Sequence, residues 1–565
     1  MKWLIGVAVT IGLMAAQEPA SVILISIDTL RADHLSAYGY RKIQTPNIDS
    51  FAQQGTIFTD VNSQIPLTLP SHTSLMTSTY PFENGIEENA EVVPAGAVTL
   101  ASILQSHGYR TAAFVGSNIL ERRCGLDQGF EEYDSPFGGE RVRRDGALVL
   151  RAANTWLGAH RNQPVFLFVH LFDLHTPYKL APAKGSNEPE TAGYDAELAY
   201  VDQTLGRFRQ SLMDNGWWKK SLVVVIADHG ESLGDHGELS HGYFIYQSTL
   251  HVPLLAHWPD GAANHPQRIS EPAGLIDVAP TILDALHLAA PPSFEGISVL
   301  HSSAHAIYSE SVYARDSFRW AALRSLREGR WKYIEAPHPE LFDLEKDARE
   351  QSNVVRANEA TAAAMRAELS SLLAKHPRTN PPAHDTADAT KKAMGALGYL
   401  SGGSRKAPAR DAPDPKDRLA EYQMFDRALD AMYSQRLDAA IRGFLQVLGL
   451  DKDNLAARGS LGDAYLRAGK PDQAAREWTA ALALDPEYAP AAQALGEQFM
   501  SRQDWTKARA YLQQALAAAP GDSTVRAELG AVAEHLRIAC HDNPSSAACG
   551  ELHEAERGLA GSAKP

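Results

Sequence analysis

Three apolar runs in this chain each end in side chains that can bind a cation or move a proton. Ser21–Ile27 leads into Asp28, Val165–Leu171 into Asp173 and His175, and Leu222–Ala227 into Asp228 and His229. Carboxylates and imidazoles are donors for zinc, manganese or calcium, and ligand type alone does not choose among these ions. A fourth segment, Thr68-Leu69-Pro70-Ser71-His72, adds a hydroxyl and a further imidazole. Each run is continuously apolar and bounded by polar or turn residues, the pattern of a strand buried on both faces of a parallel sheet. In open α/β sheets, sites form just beyond the carboxyl ends of strands. Segments far apart in sequence are therefore expected to deliver their acids and imidazoles to one sheet edge.

The order of these pieces (strand and Asp28, the Thr68–His72 turn, then Asp228-His229-Gly230-Glu231) resembles the sulfatase branch of the alkaline phosphatase superfamily. The resemblance implies an α/β domain over residues 21–375, with a mostly parallel sheet flanked by helices. It also implies a small C-terminal subdomain, because Tyr308-Ser309-Glu310, Trp331-Lys332-Tyr333-Ile334 and Glu340-Leu341-Phe342-Asp343-Leu344 look like its short antiparallel strands. In sulfatases the first position of the turn is a Cys or Ser that is oxidised to formylglycine. Thr68 cannot follow that route, since a secondary alcohol yields a ketone and not an aldehyde. In the superfamily's phosphodiesterases and phosphotransferases the nucleophile is often an unmodified threonine. The fold thus reads as sulfatase-like, and the nucleophile argues for phosphoryl chemistry.

Carried over by position, the resemblance makes Asp28, Thr68, Asp228 and His229 the ligands of the cation that activates the nucleophile. A divalent ion lowers the pKa of a bound alcohol and so activates it near neutral pH. His241 stands where sulfatases carry a substrate-binding lysine. The segment His170-Leu171-Phe172-Asp173-Leu174-His175-Thr176-Pro177-Tyr178 resembles their Asp-Pro-His-x-Pro-Tyr element. Asp173, His175 and His241 would then complete a second metal site, giving one or two ions, zinc first and manganese or calcium as alternatives. In the other reading, His175 and His241 contact the substrate oxyanion directly. Asn89, twenty-one residues after Thr68, resembles the asparagine that donates to a nonbridging substrate oxygen in phosphodiesterases and phosphonate monoester hydrolases. A neutral donor suits a singly charged diester. His72 is expected to support the turn and touch substrate. The sulfatase Gly-Lys-x-His element is replaced by Gly116-Ser117-Asn118, without its cationic contacts.

The chain has 565 residues, enough for two or three domains. Its formal charge of -15 argues against a nucleic-acid partner. Lys2, the apolar stretch Trp3 to Met14 and the small residues Ala15, Ala16 and Ala20 read as an export signal over residues 1–20, implying a periplasmic or secreted protein. No apolar run is long enough to make a transmembrane segment. Cys540 and Cys549 bracket a polar segment that a disulfide could close in an oxidising compartment, leaving Cys124 as a small buried hydrophobe. Residues 376–415 shift to Pro, Ala, Gly, Lys and Asp and read as a linker. Beyond it, Gly462, Tyr465, Ala474, Trp478, Ala481 and Pro486 recur 34 positions later as Gly496, Phe499, Ala508, Leu512, Ala515 and Pro520. That period is the tetratricopeptide signature, and it implies an all-α repeat domain over 416–535 that takes a protein or peptide partner, then a tail over 536–565. The reading is an exported metal-dependent hydrolase or transferase acting on an anionic ester, a phosphate ester, through a phospho-threonine at Thr68. Its rivals are a sulfuric-ester hydrolase and a catalytically quiet scaffold working through its repeats.

Overall fold

The computed structural model describes residues 20–53, 55–137, 142–180, 191–262, 265–301, 305–379 and 411–561. Residues 1–19 of the proposed signal, most of the linker and its Leu397-Gly398-Tyr399-Leu400 stretch lie outside them. The main sheet contains β1 (Ser21–Ile27), β2 (Thr56–Asn62), β3 (Arg110–Phe114), β4 (Glu132–Asp134), β5 (Val165–Leu171), β6 (Ser221–Ile226), β7 (His251–His257), β8 (Arg268–Ile269) and β9 (Ala273–Gly274). Its order is β4-β3-β5-β1-β6-β7-β2-β8, with β9 also on β2. Strand β7 runs antiparallel to both its neighbours, and the remaining pairs are parallel.

Every residue of β1, β5 and β6 is buried, which is why their sequences are predominantly apolar instead of alternating. Pairing sets their ends level: Ser26 lies opposite His170 on one side and Ile226 on the other. The third run is expected at Leu222–Ala227 and forms one residue earlier, leaving Ala227 to lead out of the sheet to Asp228. The small antiparallel sheet is β10 (Ile307–Ser311), β11 (Leu323–Glu328), β12 (Trp331–Glu335) and β13 (Glu340–Asp343), in that order. The helix Glu359–Lys375 packs on it through Ala362, Met365 and Leu369.

From Leu419 the chain forms helical hairpins that contain the predicted repeats. The recurring glycines are explained by close approach. A Cβ on Gly462 would meet Trp478 Nε1 at 2.3 Å, and one on Gly496 would meet Leu512 Cγ at 2.6 Å. Glycine thus admits the large side chain of the partner helix in both copies. The expected tail needs correction: helix Ser523–Asp542 runs through its boundary, and helix Ala547–Gly561 packs back on it. A Cys540–Cys549 disulfide closes the connection, and Arg509 Nε pairs with Glu551 Oε2 at 2.8 Å. Ala555 is fully buried, so apolar burial holds this end of the chain in the array.

Candidate active site

Thr68 is the first residue of the helix Thr68–Thr77, all ten residues of which are buried. The helix begins beside the carboxyl ends of β1, β5 and β6, and its N-terminal partial positive charge favours an anion there. Thr68 Oγ1 donates to Asp28 Oδ2 at 3.2 Å. Asp28, Asp228 and His229 each offer a ligand atom, and the three atoms lie within 4.8 Å of one another. Asp28 Oδ1, Asp228 Oδ2 and His229 Nε2 are buried with no hydrogen-bond partner. Burial pushes Asp28 up to about 7 and raises Asp228 as well, the latter reinforced by the neighbouring Asp28 charge. A buried, mutually repelling carboxylate pair with converging orphaned donors is the environment that a divalent cation would satisfy. The donor set therefore fits the metal predicted from the sequence.

Two further imidazoles surround this pair. His170 Nε2 lies 3.3 Å from Asp28 Oδ2. His72 has Nε2 2.8 Å from Ser26 Oγ and Nδ1 2.7 Å from the Thr68 carbonyl oxygen. Burial drives both rings down to about 4, so both are neutral near pH 7. With Nε2 on Ser26 and Nδ1 on the Thr68 carbonyl, both nitrogens of His72 are engaged within the protein, and the ring braces the turn at Thr68.

Asn89 is 3% exposed, and its Oδ1 accepts from the Leu69 N–H at 2.9 Å. Its Nδ2 is buried without a partner. One end of the amide is thus fixed to the helix that begins at Thr68, while the other keeps an unspent donor. Asn118 lies on the turn after β3 that touches the same helix, and its Oδ1 is likewise buried without a partner.

His175 and His241 come together, with ring centroids 5.1 Å apart, and His241 lies 4.4 Å from His229. His241 Nδ1 is 3.0 Å from Glu231 Oε1, which fixes the ring's orientation. His175 stacks on Phe172 and places Nδ1 2.6 Å from the Thr176 carbonyl. Asp173 does not join them. Its Oδ1 accepts from Gly146 N at 3.2 Å, at the start of helix Gly146–Ala159, and Lys179 Nζ is 4.0 Å away. The convergent donor groups among the described residues do not include Asp173, His175 and His241 together. The Asp173 carboxylate is thus turned to the start of helix Gly146–Ala159, apart from the His175–His241 pair.

Sequence reasoning missed His170 and Glu231 as site residues. Their signal was placement: His170 sits on β5 level with Ser26, and Glu231 follows directly on Asp228-His229-Gly230.

Comparison with known proteins bears on the family of the chain. Residues 20–288 match the sulfatase family model, and residues 234–378 match that for the N-sulphoglucosamine sulphohydrolase C-terminal region. Residues 425–489 and 460–523 match a tetratricopeptide repeat model. The chain is 22% identical over 443 residues to an arylsulfatase of Clostridium perfringens, covering 60% of this chain and 91% of that protein. It is 22% identical over 431 residues to arylsulfatase K of Mus musculus, covering 60% and 77%. Among solved structures, Ps i-CgsB with a bound neocarrahexaose superposes with a TM-score of 0.55 at 21% identity, over 64% of this chain and 94% of that one. The phosphonate monoester hydrolase of Agrobacterium radiobacter gives a TM-score of 0.52 at 21% identity, over 63% and 96%. The chain is a sulfatase-family hydrolase with C-terminal tetratricopeptide repeats.

Proposed function

We propose that this protein is an exported phosphate-ester hydrolase that uses unmodified Thr68 as its nucleophile. The observation that carries the reading is a threonine at the formylglycine position, buried at a helix start, with Oγ1 3.2 Å from Asp28. Asp28, Thr68, Asp228 and His229 would hold a divalent cation, zinc first and manganese or calcium as alternatives. When bound, that ion supplies Lewis acidity and activates the hydroxyl. Thr68 Oγ1 attacks phosphorus in line, forming an Oγ–P bond as the bond to the leaving oxygen breaks. The hydroxyl proton passes towards Asp28, to which Thr68 already donates. Asn89 Nδ2 donates to a nonbridging oxygen, where transition-state charge resides. His175 and His241 contact the opposite side of the ester, and Glu231 holds His241 in register. Water then displaces threonine from phosphorus; an alcohol in place of water would make the enzyme a transferase. The neutral amide donor of Asn89 suits a singly charged ester such as a phosphodiester. The repeats serve to bind a protein or peptide.

The arylsulfatase relatives favour a second reading, a sulfuric-ester hydrolase acting through Thr68. Metal analysis and turnover of p-nitrophenyl phosphodiester, phosphomonoester and sulfate by the mature protein separate the two. Thr68-dependent cleavage of phosphate esters far exceeding that of sulfate is expected. Preferred sulfate cleavage that Thr68→Ala abolishes would overturn the phosphoryl reading.

A further inference from the structure

We infer that the first repeat helix is part of the catalytic unit: Tyr422 and Gln423 position the loop that carries His241. The inference rests on the reading above, in which His241 faces the substrate.

The loop leaves the site at Glu231 and returns at His241. It is closed on itself by Ser232 N donating to the Ser240 carbonyl at 2.8 Å and Gly234 N donating to that of Glu238 at 2.9 Å. Glu238, fully buried, accepts from Ser232 Oγ at 2.9 Å, Tyr243 N at 2.8 Å and Phe244 N at 3.3 Å. Both the tip of the loop at Gly237 and the segment after His241 meet the repeat region. Gln423 Nε2 donates to the Gly237 carbonyl at 2.6 Å. The Tyr243 ring stacks on Tyr422, with centroids 4.1 Å apart and planes within 6°. The Tyr243 hydroxyl donates to the Pro415 carbonyl at 2.6 Å. Behind these contacts, Phe318 and Trp320 of the enzyme domain and Phe425 of the same repeat helix belong to one buried apolar cluster.

Only Gly242 lies between His241 and Tyr243, and it holds the left-handed conformation at φ 97°. Short range and a continuous hydrogen-bonded frame leave His241 little freedom independent of the repeat helix. Packed cores pass on small displacements because they are dense and resist compression. The repeats therefore do more than append a binding module. A partner that shifts the helix Leu419–Tyr433 shifts His241, and so sets the turnover rate.

The test uses the full-length protein and a p-nitrophenyl phosphodiester, with Gln423→Ala, Tyr422→Leu, His241→Ala and the double variant His241→Ala/Gln423→Ala. Assays run well below the melting temperature of each variant. Gln423→Ala and Tyr422→Leu are expected to lower kcat by roughly 3–30-fold, the range of measured couplings between sites. Hydrogen exchange should rise at Ser232 and Gly234 and stay unchanged in β1. In the His241→Ala background, Gln423→Ala should have no further effect. Wild-type kcat in both repeat variants, while His241→Ala is impaired, would overturn the inference and leave the proposed function standing. An undiminished Gln423→Ala effect in the His241→Ala background would also overturn it, showing general destabilisation instead. Full activity of His241→Ala would remove the reading of the site on which the inference rests.

Discussion

Asn89 bridges structure and chemistry, and two substitutions separate its roles. Its Oδ1 holds the Leu69 N–H in the first turn of the helix Thr68–Thr77, while Nδ2 is buried without a partner. Asn89→Ala removes both groups. The Leu69 N–H is then left buried and unpaired, which costs about 1–3 kcal/mol of stability. Loss of the donor to the developing oxyanion costs about 2.7–4 kcal/mol of barrier, or roughly 10²–10³ in kcat. Asn89→Asp keeps an acceptor of the same shape for Leu69 N–H, at a helix N-terminus that favours its charge, but offers no donor. Its added charge also repels an anionic ester. The expected outcome is a loss of turnover of at least roughly 10²-fold in both variants, with the alanine variant also losing about 1–3 kcal/mol of stability through the unpaired Leu69 N–H. Initial rates on a p-nitrophenyl phosphodiester and denaturant unfolding monitored in parallel measure the two effects. The assignment of Nδ2 to the substrate fails if Asn89→Asp retains kcat within about threefold of wild type.

Three further outcomes are expected. Quenched turnover should leave phosphate on the peptide containing Thr68, detectable by mass spectrometry, and Thr68→Ala should lose both the adduct and the activity; an adduct elsewhere would reassign the nucleophile. His170→Ala should weaken metal affinity roughly 10–100-fold by removing the imidazole that braces Asp28, read by metal titration against a chelator; unchanged affinity would make His170 a packing residue. Cys124 is buried and its thiol is pushed up to about 12 by desolvation, so at pH 8 it stays protonated and sheltered; it should resist thiol reagents until the protein unfolds, and labelling of the native protein would contradict this placement.

What the sequence determined by itself is local or periodic. The apolar runs of β1, β5 and β6 predicted buried strands, because a strand covered on both faces needs no polar alternation. Acids and imidazoles after those runs were legible as one sheet edge, since parallel pairing levels the strand ends. The threonine at the turn and the repeating glycines at positions 462 and 496 were equally readable, each through chemistry carried by a single residue. The tertiary structure decided where each side chain points and what covers it. Asp173 and His175 are two residues apart, yet one engages Gly146 and the other meets His241. His72 turned out to be saturated by Ser26 and Thr68, a pairing across 46 residues that spacing does not reveal. The polar C-terminal segment became two packed helices because Ala555 and its neighbours find an apolar face on the preceding hairpin. The seat of the repeats on the His241 loop was likewise hidden. It depends on Tyr243, Phe318 and Tyr422, which lie far apart in sequence and become one cluster only when burying them together removes their surfaces from water.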